Sequence, residues 1–155
     1  MHDDQAQYIS KESYEKFKAE LKDLKSNKII TIAKRIDEAR QMGDLSENAE
    51  YHSARDEMAW AQTRVKELEH ILSSAELFSK KDSSETIEVG STFNVKINGK
   101  EKEYMVVGPH EADPANGKIS NESPMGQAFL GKKKGDKVTV QAPAGELEYK
   151  ITSIN

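Results

Sequence analysis

Two carboxylates three positions apart, Asp44 and Glu47, lie in the stretch Met42-Gly43-Asp44-Leu45-Ser46-Glu47-Asn48-Ala49-Glu50, directly after the only glycine in the first half of the chain. That spacing supports two kinds of chemistry. With Asp44 as N-cap and Glu47 at the third helical position, the pair makes a capping box that satisfies orphan backbone donors at a helix start. The same two carboxylates are also the smallest set that could share a Mg²⁺ ion or orient a water molecule. Two ligands cannot hold that ion firmly, because Mg²⁺ demands octahedral oxygen coordination and keeps its waters, so such a site would be completed only inside a partner.

Most other site chemistry is excluded. The chain has no cysteine, which removes disulfides, thiolate nucleophiles and cysteine-based metal centres. Its four histidines, His2, His52, His70 and His110, have no metal-ligand spacing. His52 and His70 fall on one helix, about 27 Å apart along its axis, and all four read as surface residues. There is no Walker loop, Rossmann glycine run or nucleophile elbow. The run Gly131-Lys132-Lys133-Lys134-Gly135-Asp136 reads as a solvated connection rather than a phosphate cradle.

The elements that must carry the acidic pair are legible from periodicity. Apolar residues recur at Tyr14, Phe17, Leu21 and Leu24, then at Ile29, Ile32, Ile36 and Ala39, a 3,4,3 spacing used twice with one five-residue step between. A second run, Tyr51, Ala54, Met58, Ala61, Val65, Leu68, Leu72 and Ala75, keeps alternating steps of three and four without a break. Ser10 is placed to cap the first helix. Two such helices separated by a few residues around Gly43 bury their stripes most simply as an antiparallel hairpin, a rod about 45 Å long with residues 43–50 at its tip. From periodicity alone the hairpin reads as a spacer or a dimerisation element.

Composition changes after the polar segment 80–84. Alternating sequence from Thr92 to Ile97 and from Lys100 to Val107 flanks Asn98-Gly99, the two-residue turn best suited to a hairpin. Lys137 to Gln141 and Glu146 to Ile151, joined through Ala142-Pro143-Ala144-Gly145, predict a second hairpin. Ser123 as N-cap, Pro124 at the first helical position and Gly131 beyond the end predict one short helix. The chain is therefore α+β: a coiled-coil hairpin over 1–79, a linker at 80–84 and a small domain of four or five strands and one helix over 85–155. With 155 residues, 35% of them hydrophobic, 6% aromatic and 32% charged, it has thin apolar stripes and one small core. Its net charge of -4 argues against holding nucleic acid by bulk electrostatics. Five lysines between Lys16 and Lys28 predict an electrostatic, salt-sensitive contact at the base of the rod. The first twenty residues are too charged for a signal peptide and no apolar run spans a membrane, so a cytoplasmic location is expected and no membrane partner.

The stretch from Ala39 to Arg55, with Ala39-Arg40, Gly43-Asp44-Leu45, Glu47-Asn48-Ala49-Glu50-Tyr51 and Ala54-Arg55, resembles the bacterial transcript-cleavage factors of the Gre family. Downstream, Val107-Gly108, Glu111-Ala112-Asp113, Gly117, Ile119-Ser120, Ser123-Pro124, Gly126, Leu130-Gly131-Lys132, Gly135-Asp136 and Pro143-x-Gly145 follow the family in order. The resemblance runs from about Ser10 to Ile151. It implies a coiled coil that enters the secondary channel of RNA polymerase and an FKBP-like C-terminal domain that docks at the channel rim. It also implies that Asp44 helps bind a Mg²⁺ ion shared with the polymerase, that Glu47 positions the attacking water, and that the polymerase, not the factor, hydrolyses the backtracked nascent RNA. No cofactor is expected on the factor alone. By the same resemblance Arg40, Arg55 and Asn48 contact the RNA 3′ end or the polymerase, and Ser123, Pro124 and Gly126 dock on the polymerase. Arg40 and Arg55 read without it as surface ion pairs with Asp37, Asp44 or Asp56.

Some positions depart from the family. Ile29-Ile30 replaces a usual Arg-Pro, which predicts a straighter first helix, and Gln127 and Phe129 replace a usual basic residue and Leu. Residues 52–62 lack the dense basic charge of one branch of the family, favouring the branch that yields short cleavage products. Rival readings are a channel regulator with a different tip, a prolyl isomerase built on the second domain, and a free-standing ribonuclease. The isomerase would need an aromatic-lined pocket, for which Phe93, Tyr104, Phe129 and Tyr149 are few.

Overall fold

The first apolar stripe folds as one helical arm in three pieces, α1 (Lys11–Asp23), a π-helical turn (Leu24–Lys28) and α2 (Ile29–Gln41), in the computed structural model, which describes residues 7–82 and 84–155. His2 and the Ser83 position of the linker lie outside the described residues. The π turn falls on the five-residue step of the stripe. Five residues of α-helix turn through about 500° and would carry Ile29 off the seam, whereas a π turn uses one residue more per turn and brings it back. Ser26 Oγ donates to the Lys22 carbonyl at 2.6 Å, competing for an acceptor of the regular ladder. The straighter helix expected from Ile29-Ile30 is thus not a regular one, because the irregularity comes from stripe phase rather than from proline.

The second arm is α3 (Ala49–Ser74), which buries Tyr51, Ala54, Ala61, Leu68 and Ile71. Against it lie Leu24 and Ile32, flanked by Phe17, Leu21, Ile29, Ile36, Met58 and Val65. Each fully buried Leu contributes about 2 kcal/mol. Ion pairs cross the seam from Glu20 to Arg64, Lys25 to Glu69 and Arg35 to both Glu50 and Glu57, and the step from Glu20–Arg64 to Arg35–Glu50 runs in the antiparallel sense. The Arg64 fork meets both Glu20 oxygens at 2.7 and 3.0 Å and holds that carboxyl below its ordinary range. At these exposures such pairs add little, so the apolar stripe dominates.

The compact units of the structure divide the chain at points other than residue 79. Tyr14–Ser74 forms one compact unit, and the rest of the described chain forms the other. The helix stops at Ser74, and Ala75 opens β2 (Ala75–Phe78), which pairs in parallel with β1 (Gln7–Ser10). The stripe had carried Ala75 as helical, but a strand partner waiting at residues 7–10 takes its backbone instead. Ser10 accepts from the Ser13 amide at 3.1 Å, as an N-cap does, while its own N–H and hydroxyl both donate to Glu111.

The second unit carries a five-stranded sheet in the order β5-β4-β3-β7-β6. The strands are β3 (Thr92–Ile97), β4 (Lys100–Val107), β5 (Lys118–Ser120), β6 (Lys137–Ala142) and β7 (Gly145–Ile154). Both hairpins form where the turn residues place them, and β5 adds in parallel to β4. Val138, Val140, Tyr149 and Ile151 alternate inward with Phe93 and Val95, and α4 (Pro124–Phe129) closes the core with Phe129. The run 131–136 is exposed and spans from α4 to β6, with Gly131 and Lys132 bonded to the Ile87 backbone.

Candidate functional site at the hairpin tip

Helix α2 ends because Met42 and Gly43 leave the helical path, Gly43 at φ +99°, a region closed to side-chain-bearing residues at low cost. The next five residues carry both acids, and Asp44 and Glu47 are exposed. They line one cleft of about 600 Å³ with Glu38, Met42, Asn48 and Glu50. Asp44 and Glu47 do not form a capping box. Asp44 Oδ1 accepts from the Ser46 hydroxyl at 2.8 Å and the Ser46 amide at 3.3 Å, a local turn well short of the helix. The cap of α3 is Asn48, whose Oδ1 accepts from the Tyr51 amide at 3.0 Å. Asn48 wins because its amide works in both directions: Nδ2 also donates to the Ala39 carbonyl at 2.8 Å, tying the last turn of α2 to the first turn of α3.

Helix capping therefore does not explain the two acids. They are hard oxygen donors of the kind Mg²⁺ accepts, but among the described residues no three His, Cys, Asp or Glu side chains stand close enough to hold a metal. The tip can offer part of a coordination shell and the rest must come from elsewhere. Just behind the acids, Arg35 bridges Glu50 and Glu57 at 2.7–3.0 Å and is held more strongly protonated by Glu57 first and Glu50 second.

Arg40 and Arg55 come together, although they belong to different helices. Their Cζ atoms lie 6.0 and 5.7 Å from the centre of the Tyr51 ring, and Arg55 Nη1 donates to the Tyr51 hydroxyl at 3.4 Å. Hydrogen bonding from Arg40 foremost, and from Arg55, holds the Tyr51 phenol below its ordinary pKa. The only ion pair among those read from sequence is the long one from Arg40 to Asp37, at 3.9 Å. Tyr51 had been legible only as a stripe residue. The signal for more was the repeated Ala-Arg dipeptide either side of it, Ala39-Arg40 and Ala54-Arg55.

The three residues expected to dock in the C-terminal unit form one turn. Ser123 Oγ accepts from the Gly126 amide at 3.0 Å and donates to the Ser120 carbonyl at 2.7 Å. A Cβ at Gly126 would fall 1.9 Å from the Ser120 carbonyl oxygen, so glycine is required there. Pro124 and Gln127 are the exposed members of this turn. Phe93, Tyr104, Phe129 and Tyr149 pack on one another at 4.9–6.4 Å between ring centres, filling the core rather than lining an isomerase pocket. His52, His70 and His110 are exposed.

Comparison with known proteins places this architecture. Residues 7–77 match the family model of the transcription elongation factor N-terminal domain, and residues 82–155 match that of the GreA/GreB C-terminal domain. The chain belongs to the GreA/GreB family of transcription elongation factors, which are accessory factors acting on the transcription machinery. Within that family it stands with the GreA members. Transcription elongation factor GreA of Thermosipho africanus is 46% identical over 149 residues, covering 95% of each chain. GreA of Geobacillus kaustophilus is 42% identical over 149 residues, covering 94% of each. Among solved structures, GreA factor homolog 1 of Thermus thermophilus is similar at 29% identity and a TM-score of 0.43, covering 96% of this chain and 97% of that one. No helix among the described residues is long and apolar enough to cross a membrane.

Proposed function

We propose that this chain is a cytoplasmic transcript-cleavage factor whose hairpin enters the secondary channel of RNA polymerase and brings Asp44 and Glu47 to the polymerase active site. The observation that carries the reading is that both carboxylates are exposed, line one cleft at the end of a narrow hairpin, and are not consumed in capping α3. A Mg²⁺ ion shared with the polymerase would supply charge stabilisation and an activated water for phosphodiester hydrolysis. Asp44 would hold it, using the turn with Ser46 to fix its carboxylate, and Glu47 would orient the water. The hydrolytic activity belongs to the polymerase. Arg40 and Arg55 face the RNA 3′ segment, since guanidinium matches phosphate. Asn48 serves them by fixing the tip, and the Ser123-Pro124-Gly126 turn is the docking element of the second unit.

The test is an arrested elongation complex carrying 3′-backtracked RNA, with fragment release followed against Mg²⁺ concentration. Wild-type protein should release a short fragment only when polymerase is present. Asp44→Asn and Glu47→Gln should each reduce release by orders of magnitude while competition binding to polymerase persists. Asp44→Asn should be the more damaging and be partly restored by added Mg²⁺. Near-normal cleavage by the double variant would sink the mechanism, and a fragment formed without polymerase would identify a free nuclease instead.

A further inference from the structure

The pairing of Arg40 and Arg55 on a single ring calls for a reason. Each follows a buried alanine, Ala39 at 4% and Ala54 at 0% exposure. A helical residue next in sequence sits about 100° further round, so each arginine emerges at the rim of the seam between α2 and α3. Tyr51, 7% exposed, occupies that seam, and its backbone is pinned by Asn48, the side chain that also grips the Ala39 carbonyl. Two guanidiniums brought to one place repel each other. The electron-rich face of the ring and the hydroxyl oxygen offset this, and the pair is left suited to a polyanion rather than to a lone carboxylate.

We infer that Tyr51 is a positioning residue, which sets the guanidiniums of Arg40 and Arg55 in one fixed arrangement for a phosphodiester of the RNA 3′ segment. This rests on the transcript-cleavage reading above. Packing alone would be met by Phe or Leu. The hydroxyl is what reaches Arg55, and the same two cations, Arg40 foremost, lower the pKa of the phenol. Tyr51 touches no reacting atom in this scheme; it acts through the arginines.

The experiment compares wild type, Tyr51→Phe and Tyr51→Leu in the arrested-complex assay, separating the maximal cleavage rate from the factor concentration that gives half of it, with thermal unfolding of each protein. Misplacing a group by about 1 Å can lower a rate about a hundredfold. On that scale, Tyr51→Phe, which keeps the ring, should lose about tenfold in maximal rate and Tyr51→Leu about a hundredfold. Half-saturation should be unchanged in both, and the unfolding midpoint unchanged in Tyr51→Phe. A maximal rate for Tyr51→Phe equal to wild type would overturn the inference. So would a loss that appears as weaker half-saturation or a lower unfolding midpoint in that variant, since those mark a structural role. If wild type itself gives no polymerase-dependent cleavage, it is the parent reading that fails. An active wild type with indifferent Tyr51 variants defeats this inference alone.

Discussion

Asn48 joins the two arms of the tip with one side chain, accepting from the Tyr51 amide and donating to the Ala39 carbonyl. Replacing it with Ala removes a helix cap and one of two donors to the Ala39 carbonyl, which keeps the Met42 amide at 3.2 Å. The expected result is a loss of about 1–2 kcal/mol of unfolding free energy in urea titration, with Asn48→Asp intermediate because it keeps only the acceptor. An unchanged midpoint for Asn48→Ala would show that the tip is held by the seam alone. The sequence misled at this point for a definite reason. Asp44 and Glu47 stand at capping-box spacing, and Asn48 is also a good cap. Only the position of Ala39 across the hairpin decides between them, and that is tertiary information. The acids, the arginines and the docking turn could be named from the motifs; the convergence of Arg40 and Arg55 on Tyr51 could not, because they come from separate helices.

At the scale of elements, local patterns were legible wherever neighbours in sequence are neighbours in space. Both hairpins of the sheet and the capped helix α4 follow from turn residues and alternation. The parallel pairs β1-β2 and β4-β5 did not, because their strands are four, four and three residues long beside β4, and their partners lie across intervening structure. The five-residue step in the first stripe was visible, but its resolution as a π turn was not. That turn makes a sharp prediction. Deleting Asn27 converts the step from Leu24 to Ile29 into four residues, which a regular α-helix accommodates within its seam. The deletion variant should stay helical and unfold by heat at the wild-type temperature or above. Deleting Lys34, two residues beyond the buried Ile32, has no such compensation, turns the seam by about 100° and should lower the midpoint strongly. Equal destabilisation by both deletions, measured by circular dichroism, would remove the phase argument.

Over the whole molecule, a net charge of -4 conceals uneven placement. Of the five lysines between Lys16 and Lys28, Lys25 pairs with Glu69 and Lys28 with Asp23, so part of that basic run is locally neutralised. The remaining attraction to an anionic partner is exposed and screened over about 8 Å at physiological salt. The factor concentration giving half-maximal cleavage should therefore rise with salt, and changing Lys18 and Lys22 together to Gln should flatten that rise. A half-saturation constant that ignores salt would remove the lysines from the encounter. The strand β1 carries a different consequence, one for biogenesis. It pairs with residues 75–78, and Ser10 is gripped by Glu111, 101 positions later. At roughly 5–20 residues per second of translation, about 5–20 seconds separate the emergence of these two partners. The helical hairpin can close on the ribosome in that interval, so β1 is made before the hairpin yet finds its last partner after it.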